Sequence, residues 1–262
     1  MSQHDAIVIG AGVIGACVAN GLAAKGWRTL SLDKAPAAGY GSTGASCAII
    51  RTHYSTLDGA ALAHEGYYYW RDWPGYIGAA DERGLAEFRE TGCLVMKTEA
   101  NRYLEPICRN MDALGIPYEH WDEAKILERF PFYDLARFGP PRRADDPAFG
   151  EPSGGRVPGA VFFPRAGYIT DPQLSAHNAQ VSAEAKGAAF RFNARVAEIL
   201  KSGGRVAGVR LEDGTTLEAP VVVNVAGPHS GIVNRLAGVE AGMNIKTRAL
   251  KVEVAHVPPP AG

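Results

Sequence analysis

The chain opens with an uninterrupted apolar run, Ala6-Ile-Val-Ile9, with polar residues before it and glycines after it. A short run with no polar side suits a strand covered on both faces, as in a parallel sheet. A helix-forming stretch from Val13 to Lys25 follows and closes at Gly26, and a second strand, Arg28 to Leu32, ends in Asp33. Further on, a short apolar segment spans Cys47 to Ile50. Residues 58–80 have a helical pattern with Asp58 as N-cap, and Thr91 to Thr98 reads as a strand. An amphipathic helix is expected from Glu99 to Leu114, stopped at Gly115. A short strand from Tyr118 to Trp121 and a helix from Asp122 to Phe130, halted by Pro131, come next. Residues 139–159, rich in Pro, Gly and charge, read as a surface excursion. Strand signal returns at Ala160, and Asp171-Pro172 caps and opens a helix running to Lys186.

The last third alternates in a strand rhythm. Ala189 to Phe192 is one strand. Arg195 to Leu200 and Arg205 to Leu211 form a hairpin about Ser202-Gly-Gly, with a further turn at Asp213-Gly214. Pro220 begins another apolar strand, which ends in small residues before a helix from Ile232 to Leu236. Lys246 to His256 reads as a final strand.

Composition narrows the picture only slightly. With 262 residues, 46% hydrophobic, 21% charged and a formal net charge of −1, the chain has the size of one large or two interleaved domains. The near-neutral balance and the lack of a basic run argue against a nucleic-acid partner. No run of 18 apolar residues suggests a membrane span, and the first strand begins too early for a signal peptide. The cysteines Cys17, Cys47, Cys93 and Cys108 form neither a C-x-x-C pair nor a metal-ligand cluster. Reduced thiols, a cytoplasmic location and no metal are expected.

The chemistry is concentrated near the start. Gly10, Gly12 and Gly15 have the spacing G-x-G-x-x-G between a strand and a helix, and Asp33 ends the next strand about 20 residues on. Gly10 permits a tight turn, Gly12 lets a pyrophosphate approach the backbone, and Gly15 lets helix and sheet pack closely. N–H groups at the helix start, with Val13 and Ile14 in its first turn, hold negative charge, and Asp33 accepts from ribose hydroxyls. Lys34 and a Gly/Ser/Thr-rich loop (Gly41, Ser42, Thr43, Gly44, Ala45, Ser46) follow. The loop's free backbone N–H groups suit a second phosphate contact. The fingerprint alone admits either FAD or NAD.

The first strand and turn, the Gly/Ser loop and the Ile49-Ile50-Arg51 that follows it resemble the D-amino-acid-oxidase-type flavoprotein family, which includes glycine oxidase and the sarcosine oxidases. Two later stretches, Gly167-Tyr-Ile-Thr-Asp-Pro172 and Val222-Val-Asn-Val-Ala-Gly-Pro-His-Ser230, resemble further elements of that family. The resemblance implies an α/β (α+β overall) fold. A Rossmann-like FAD-binding domain with a β-meander (residues 1–57 and 160–240) would be interleaved with a mixed-sheet substrate domain (58–159 and 241–262). It spans this chain but about two-thirds of a full-length member, so the C-terminal part of the family fold is expected from a longer chain or a second chain.

The resemblance also implies FAD rather than NAD, and oxidation of the C–N bond of an amino acid or N-methyl amino acid, with oxygen or another electron acceptor. It places Val196 beside the adenine and Ala226 and Gly227 close to the cofactor, and makes Arg51 the partner of a substrate carboxylate with Tyr54 in the same pocket. The family arginine that neighbours this one in monomeric sarcosine oxidase is matched here by Ala48. Asp171 stands where the heterotetrameric sarcosine oxidases carry a covalent FMN on a histidine, so a second, covalent flavin is not expected. Thr43 to Cys47 contains no histidine, so FAD is expected to be held without a bond to that segment. Other readings stay open: an NAD-linked dehydrogenase, a non-catalytic FAD-binding subunit, and an Arg51 that merely faces solvent or phosphate. Tyr67-Tyr-Tyr-Trp70 is expected to pack rather than stack on a ligand. His177 is expected in a surface or packing role; His229, at the head of a helix, is an active-site candidate for which capping and surface exposure are the preferred reading.

Overall fold

A computed structural model describes residues 3–250. In chain order the elements are β1 (Ala6–Ile9), α1 (Val13–Ala24), β2 (Thr29–Leu32), β3 (Ile49–Ile50), α2 (Leu57–Arg71), α3 (Trp73–Ile77), β4 (Phe88–Arg89) and β5 (Cys93–Met96). Next are α4 (Glu105–Leu114), β6 (Glu119–Trp121), α5 (Glu123–Arg129), β7 (Ala160–Phe163), β8 (Gly167–Ile169) and α6 (Pro172–Ala185). The series ends with β9 (Ala189–Arg191), β10 (Val196–Ser202), β11 (Arg205–Leu211), β12 (Thr216–Glu218), β13 (Val221–Asn224) and α7 (Ser230–Leu236).

These elements form two units. One gathers residues 3–48, Asp72–Phe88 and 169–250; the other gathers Ile49–Arg71 and Arg89–Tyr168. In the first, β13, β1, β2 and β9 make a wholly parallel sheet in that order, with Ala6 opposite both Val221 and Thr29. β1 and β2 are buried along their whole lengths, β1 as its unbroken apolar run requires and β2 with Thr29 and Ser31 buried alongside its leucines. Helices α1 and α6 pack through small side chains, Ala19 and Ala23 with Ala183, and Ala188 just beyond α6 joins the cluster. The antiparallel meander β10-β11-β12 adds Ile199, Val209 and Leu211 to a core shared with Ile7, Leu30 and Leu32.

The second unit is built on the antiparallel sheet β5-β7-β6. The apolar face of α4, with Cys108 and Met111, meets Val161 and Phe163 of β7 and Ala60 of α2. Trp121, Ile126, Leu135 and Ala160 form a second cluster.

Four expectations change. The unit boundaries fall at Ala48 and Tyr168, and Asp72–Phe88 joins the first unit. Asn178 of α6 explains that allegiance: its Oδ1 accepts from Ala86 N at 2.9 Å and Trp73 Nε1 at 3.3 Å, and its Nδ2 donates to Asp81 and Gly84. The helix expected over 58–80 breaks at Asp72, whose carboxylate caps α3 by accepting from Gly75 N, and Thr56 rather than Asp58 receives the first-turn N–H of Gly59. The helix expected from Glu99 starts at Glu105, because Arg102, Tyr103 and Leu104 have φ of 52°, 52° and 65°. The final strand is absent over 246–250, and the rest of that stretch lies outside the described residues.

Candidate functional site

At the carboxyl ends of β1 and β2 the first unit contains a cavity of about 500 Å³, within the ~300–1,000 Å³ typical of ligand pockets. This is the end of an open parallel sheet at which ligands bind, beside the strand-order reversal at β1. Its floor is the turn from β1 into α1. Gly10 has φ +112° there, and a Cβ would collide with the carbonyl oxygen of Val225, where β13 passes alongside. A Cβ at Gly15 would strike the Gly10 carbonyl, so this glycine permits the helix to start directly over the turn.

Gly12 is different. Its Cβ would approach only Thr43 Oγ1, at 3.0 Å, and open space lies beyond. Gly12 is also the N-cap of α1 and has no side chain of its own to cap it. One first-turn donor, Val13 N, bonds to Thr43 Oγ1 at 3.1 Å. The helix end therefore presents donors and a positive dipole end into the cavity.

Asp33 stands on the cavity wall and organises it as well. Its Oδ2 accepts from Ala11 N at 2.7 Å and its Oδ1 from Ala35 N at 2.8 Å, which fixes the carboxylate against the glycine turn. Each oxygen retains acceptor capacity for a ligand hydroxyl. The opposite wall comes from far along the chain. Val196 opens β10, and Ala226 and Gly227 follow β13. Asn224 holds this second turn in place: Nδ2 donates to Ser230 O and Asn234 Oδ1, and Ala226 N donates to Oδ1.

Thirteen residues singled out from the sequence line this cavity: Gly10, Gly12, Val13, Ile14, Gly15, Asp33, Lys34, Gly41, Ser42, Thr43, Val196, Ala226 and Gly227. Gly44, Ala45 and Ser46 are not among its lining residues. Their N–H groups, expected to be free, donate back to Gly39, Gly41 and Thr43 carbonyls, so the loop winds on itself. Arg51 and Tyr54 belong to the second unit, where the guanidinium lies 4.9 Å from the centre of the Tyr54 ring. The adjoining His53 is buried and stacks on Phe163 at 4.1 Å, and its Nδ1 has no hydrogen-bond partner. Burial, and then the Arg51 charge, lower its pKa to about 4.

Tyr40 and the α7 face of Ile232, Val233 and Leu236 also line the cavity and were not singled out from the sequence; His229, set behind capping and exposure as a site candidate, lines it too. The spacing of 232, 233 and 236 on one helix is the signal that was available. Of the aromatic run on α2, Tyr67 is buried as expected, but Tyr68 and Tyr69 are each 47% exposed.

A family model described as FAD dependent oxidoreductase matches residues 5–262. The chain belongs to this family. The cofactor of this FAD dependent oxidoreductase is accordingly FAD, and the NAD-linked alternative falls away. The oxidoreductase is similar to the tRNA 5-methylaminomethyl-2-thiouridine biosynthesis bifunctional protein MnmC of Paraburkholderia phytofirmans, 27% identical over 266 residues covering 100% of this chain and 36% of the relative. It spans about a third of the length of the curated relatives it matches. Among solved structures it is similar to L-proline dehydrogenase from P. horikoshii, with TM-score 0.73, 20% identity, and coverage of 91% of this chain and 57% of that one. It is also similar to L-alpha-glycerophosphate oxidase from Mycoplasma pneumoniae with FAD bound, with TM-score 0.70, 18% identity, and coverage of 91% and 58%. At these identities the likeness is one of fold, and it matches the α/β architecture expected from the sequence.

The cavity suits the adenosine diphosphate half of FAD. An uncapped helix N-terminus meets a glycine with open space where its side chain would be, and a fixed carboxylate stands at the end of the neighbouring strand. No helix of the described residues is long and apolar enough to cross a membrane.

Proposed function

We propose that this chain is the FAD-holding part of an oxidoreductase that oxidises the C–N bond of an amino acid or N-alkyl amino acid. The observation that carries the reading is the cavity in which Gly12, Asp33 and the bare start of α1 face Val196 and Ala226-Gly227. In this reading the first unit binds FAD, with the first-turn N–H groups on the pyrophosphate and Asp33 on the ribose. The second unit contributes to substrate binding.

Bound FAD supplies the two-electron oxidising group. The chain's own residues bind and orient: the guanidinium of Arg51 pairs with a substrate carboxylate, and the Tyr54 ring under it limits its motion. The fold does not choose the donor, since a glycerophosphate oxidase shares it. Two features favour an amine. Arg51 follows the Ile49-Ile50 strand as in the sarcosine oxidases, and the MnmC relatives are named for a methylaminomethyl group, itself a secondary amine. That same name favours a second reading, in which the amine is carried on a tRNA, against the expectation from net charge of no nucleic-acid partner.

The test is anaerobic reduction of the flavin in the FAD-loaded protein, together with any chain that completes it. Sarcosine, other N-alkyl amino acids and bulk tRNA would be offered separately. Bleaching by an amino acid supports the first reading, and bleaching by tRNA alone supports the second. In Arg51→Ala the half-saturating amino acid concentration should rise by the equivalent of about 1.5–3 kcal/mol, because the carboxylate loses a charged, forked hydrogen-bond partner. Flavin content should stay normal. An unchanged dependence on the amino acid would remove Arg51 from the site.

A further inference from the structure

The second unit holds an arginine whose charge is met only by neutral groups. Arg165, half-buried in the turn between β7 and β8, donates from Nη1 to His64 Nε2 at 2.7 Å and to Tyr68 Oη at 3.2 Å. His64 and Tyr68 stand four residues apart on α2 and so share a face. A guanidinium can only donate, so His64 Nε2 accepts and that ring is neutral, with its proton on Nδ1. Burial, and then the Arg165 charge, lower the His64 pKa. Among the described residues no carboxylate pairs with Arg165, and its Nε and Nη2 groups make no hydrogen bond. The acid that follows Arg89, Glu90, is engaged by Tyr67 Oη at 2.5 Å.

Neutral partners fix the guanidinium without cancelling its charge. They occupy one nitrogen and leave free the Nε–Nη2 edge, the fork that grips two oxygens of a carboxylate or phosphate. Tyr68 is 47% exposed, so the cluster opens to solvent. A half-buried cation with no counter-ion gains most from binding one.

We propose that Arg165, held by His64 and Tyr68, is an anion subsite that takes the carboxylate or phosphate of a bound molecule on its free edge. It is separate from the carboxylate role given to Arg51, and it holds whichever donor the enzyme oxidises.

The experiment is isothermal titration of the FAD-loaded chain with acetate and, separately, with inorganic phosphate, at low ionic strength. Saturable binding of one or both is expected, and the ion that binds tighter names the source of the charge. Arg165→Gln should weaken it by about tenfold or more, and Arg165→Lys should restore little, because an ammonium cannot fork. Arg205→Gln, at an exposed arginine that opens β11, should leave it unchanged. If Arg165→Gln fails to fold, Tyr68→Phe carries the test, with a loss of roughly fivefold for one hydrogen bond. No saturable binding of either ion, equal binding in the wild type and the Arg165 or Tyr68 variant, or loss of binding in Arg205→Gln would overturn the proposal.

Discussion

The three glycines of the first turn lack side chains for different reasons, and substitution should separate them. At Gly10 and Gly15 a β-carbon meets fixed backbone, the Val225 and Gly10 carbonyls, and Gly10 also has φ +112°. Gly10→Ala should therefore cost roughly 3 kcal/mol or more of stability, since it combines left-handed strain with a clash the backbone must relieve. At Gly12 the space is open, with only the Thr43 hydroxyl nearby, and in the proposed reading the pyrophosphate takes it. Gly12→Val should therefore lose flavin while keeping most of its thermal stability. Circular dichroism melts and visible absorbance measure the two effects, and full flavin in Gly12→Val would sink the assignment of this turn to the pyrophosphate. His53 offers a pH test. Its folded pKa of about 4 lies below the unfolded ~6.5, so the unfolded chain takes up a proton that the folded one refuses. The stabilisation is complete above pH ~6.5 and falls as pH drops towards 4, by at most about 3 kcal/mol. His53→Phe keeps the stack on Phe163 and removes both the titration and the unpartnered Nδ1. Urea titrations should show this variant gaining on the wild type as pH falls from 7 to 4; parallel pH profiles would contradict the argument.

Asn178 illustrates what holds an irregular segment to a regular one. It is fully buried, accepts from two groups and donates to two others, all within Asp72–Phe88. Asp81, whose Oδ2 also accepts from or pairs with His177 Nδ1 at 2.7 Å, joins the same cluster. Asn178→Ala would leave the Ala86 N–H and the Asp81 carboxylate short of partners, at about 1–3 kcal/mol for each buried group. Limited proteolysis should then cut within residues 78–88 long before α1 or α6; unchanged protection there would show that the segment is held by packing instead. None of this was legible in the sequence, where Asn178 is one polar residue inside a helix. The parallel strands, α1 and the meander were legible because unbroken apolar runs and Gly-Gly or Asp-Gly turns are local signals. The helix starts at Leu57 and Glu105 were misjudged for an equally local reason. Thr56 outcompetes Asp58 for the first N–H groups, and Asn101 folds back on Thr98 and Met96 to delay the helix until Pro106 can sit in its first turn. In the candidate site, residues on the glycine turn could be read off because their spacing is set by one local strand-to-helix turn. The α7 wall and the self-bonded Gly44–Ser46 stretch depend on how the loops close, which a sequence pattern does not encode.

At the scale of the whole molecule, the cavity is assembled from residues 9–43 and 194–236, two stretches separated by the entire second unit in sequence. The Rossmann-like half supplies the glycine turn and Asp33; the return of the chain supplies Val196, the Ala226-Gly227 turn and α7. Neither stretch closes the cavity alone, so a ligand bound there stabilises their union and weights the folded first unit over any state in which they part. At 100 times its dissociation constant, FAD should add about 2.7 kcal/mol to that union. Hydrogen exchange followed by mass spectrometry reads where this stabilisation goes. On adding FAD to the flavin-free protein, peptides covering β1, the start of α1, β13 and α7 should slow together, whereas those of β5, β6 and β7 should change little. ADP should slow the β1–α1 peptides alike but to a smaller extent, because it carries the pyrophosphate and adenosine without the flavin, and NAD at the same concentration should do less than FAD. Slowing confined to 9–43, with β13 and α7 unaffected, would mean that FAD rests on the glycine turn alone and that the Ala226-Gly227 wall plays no part in holding it.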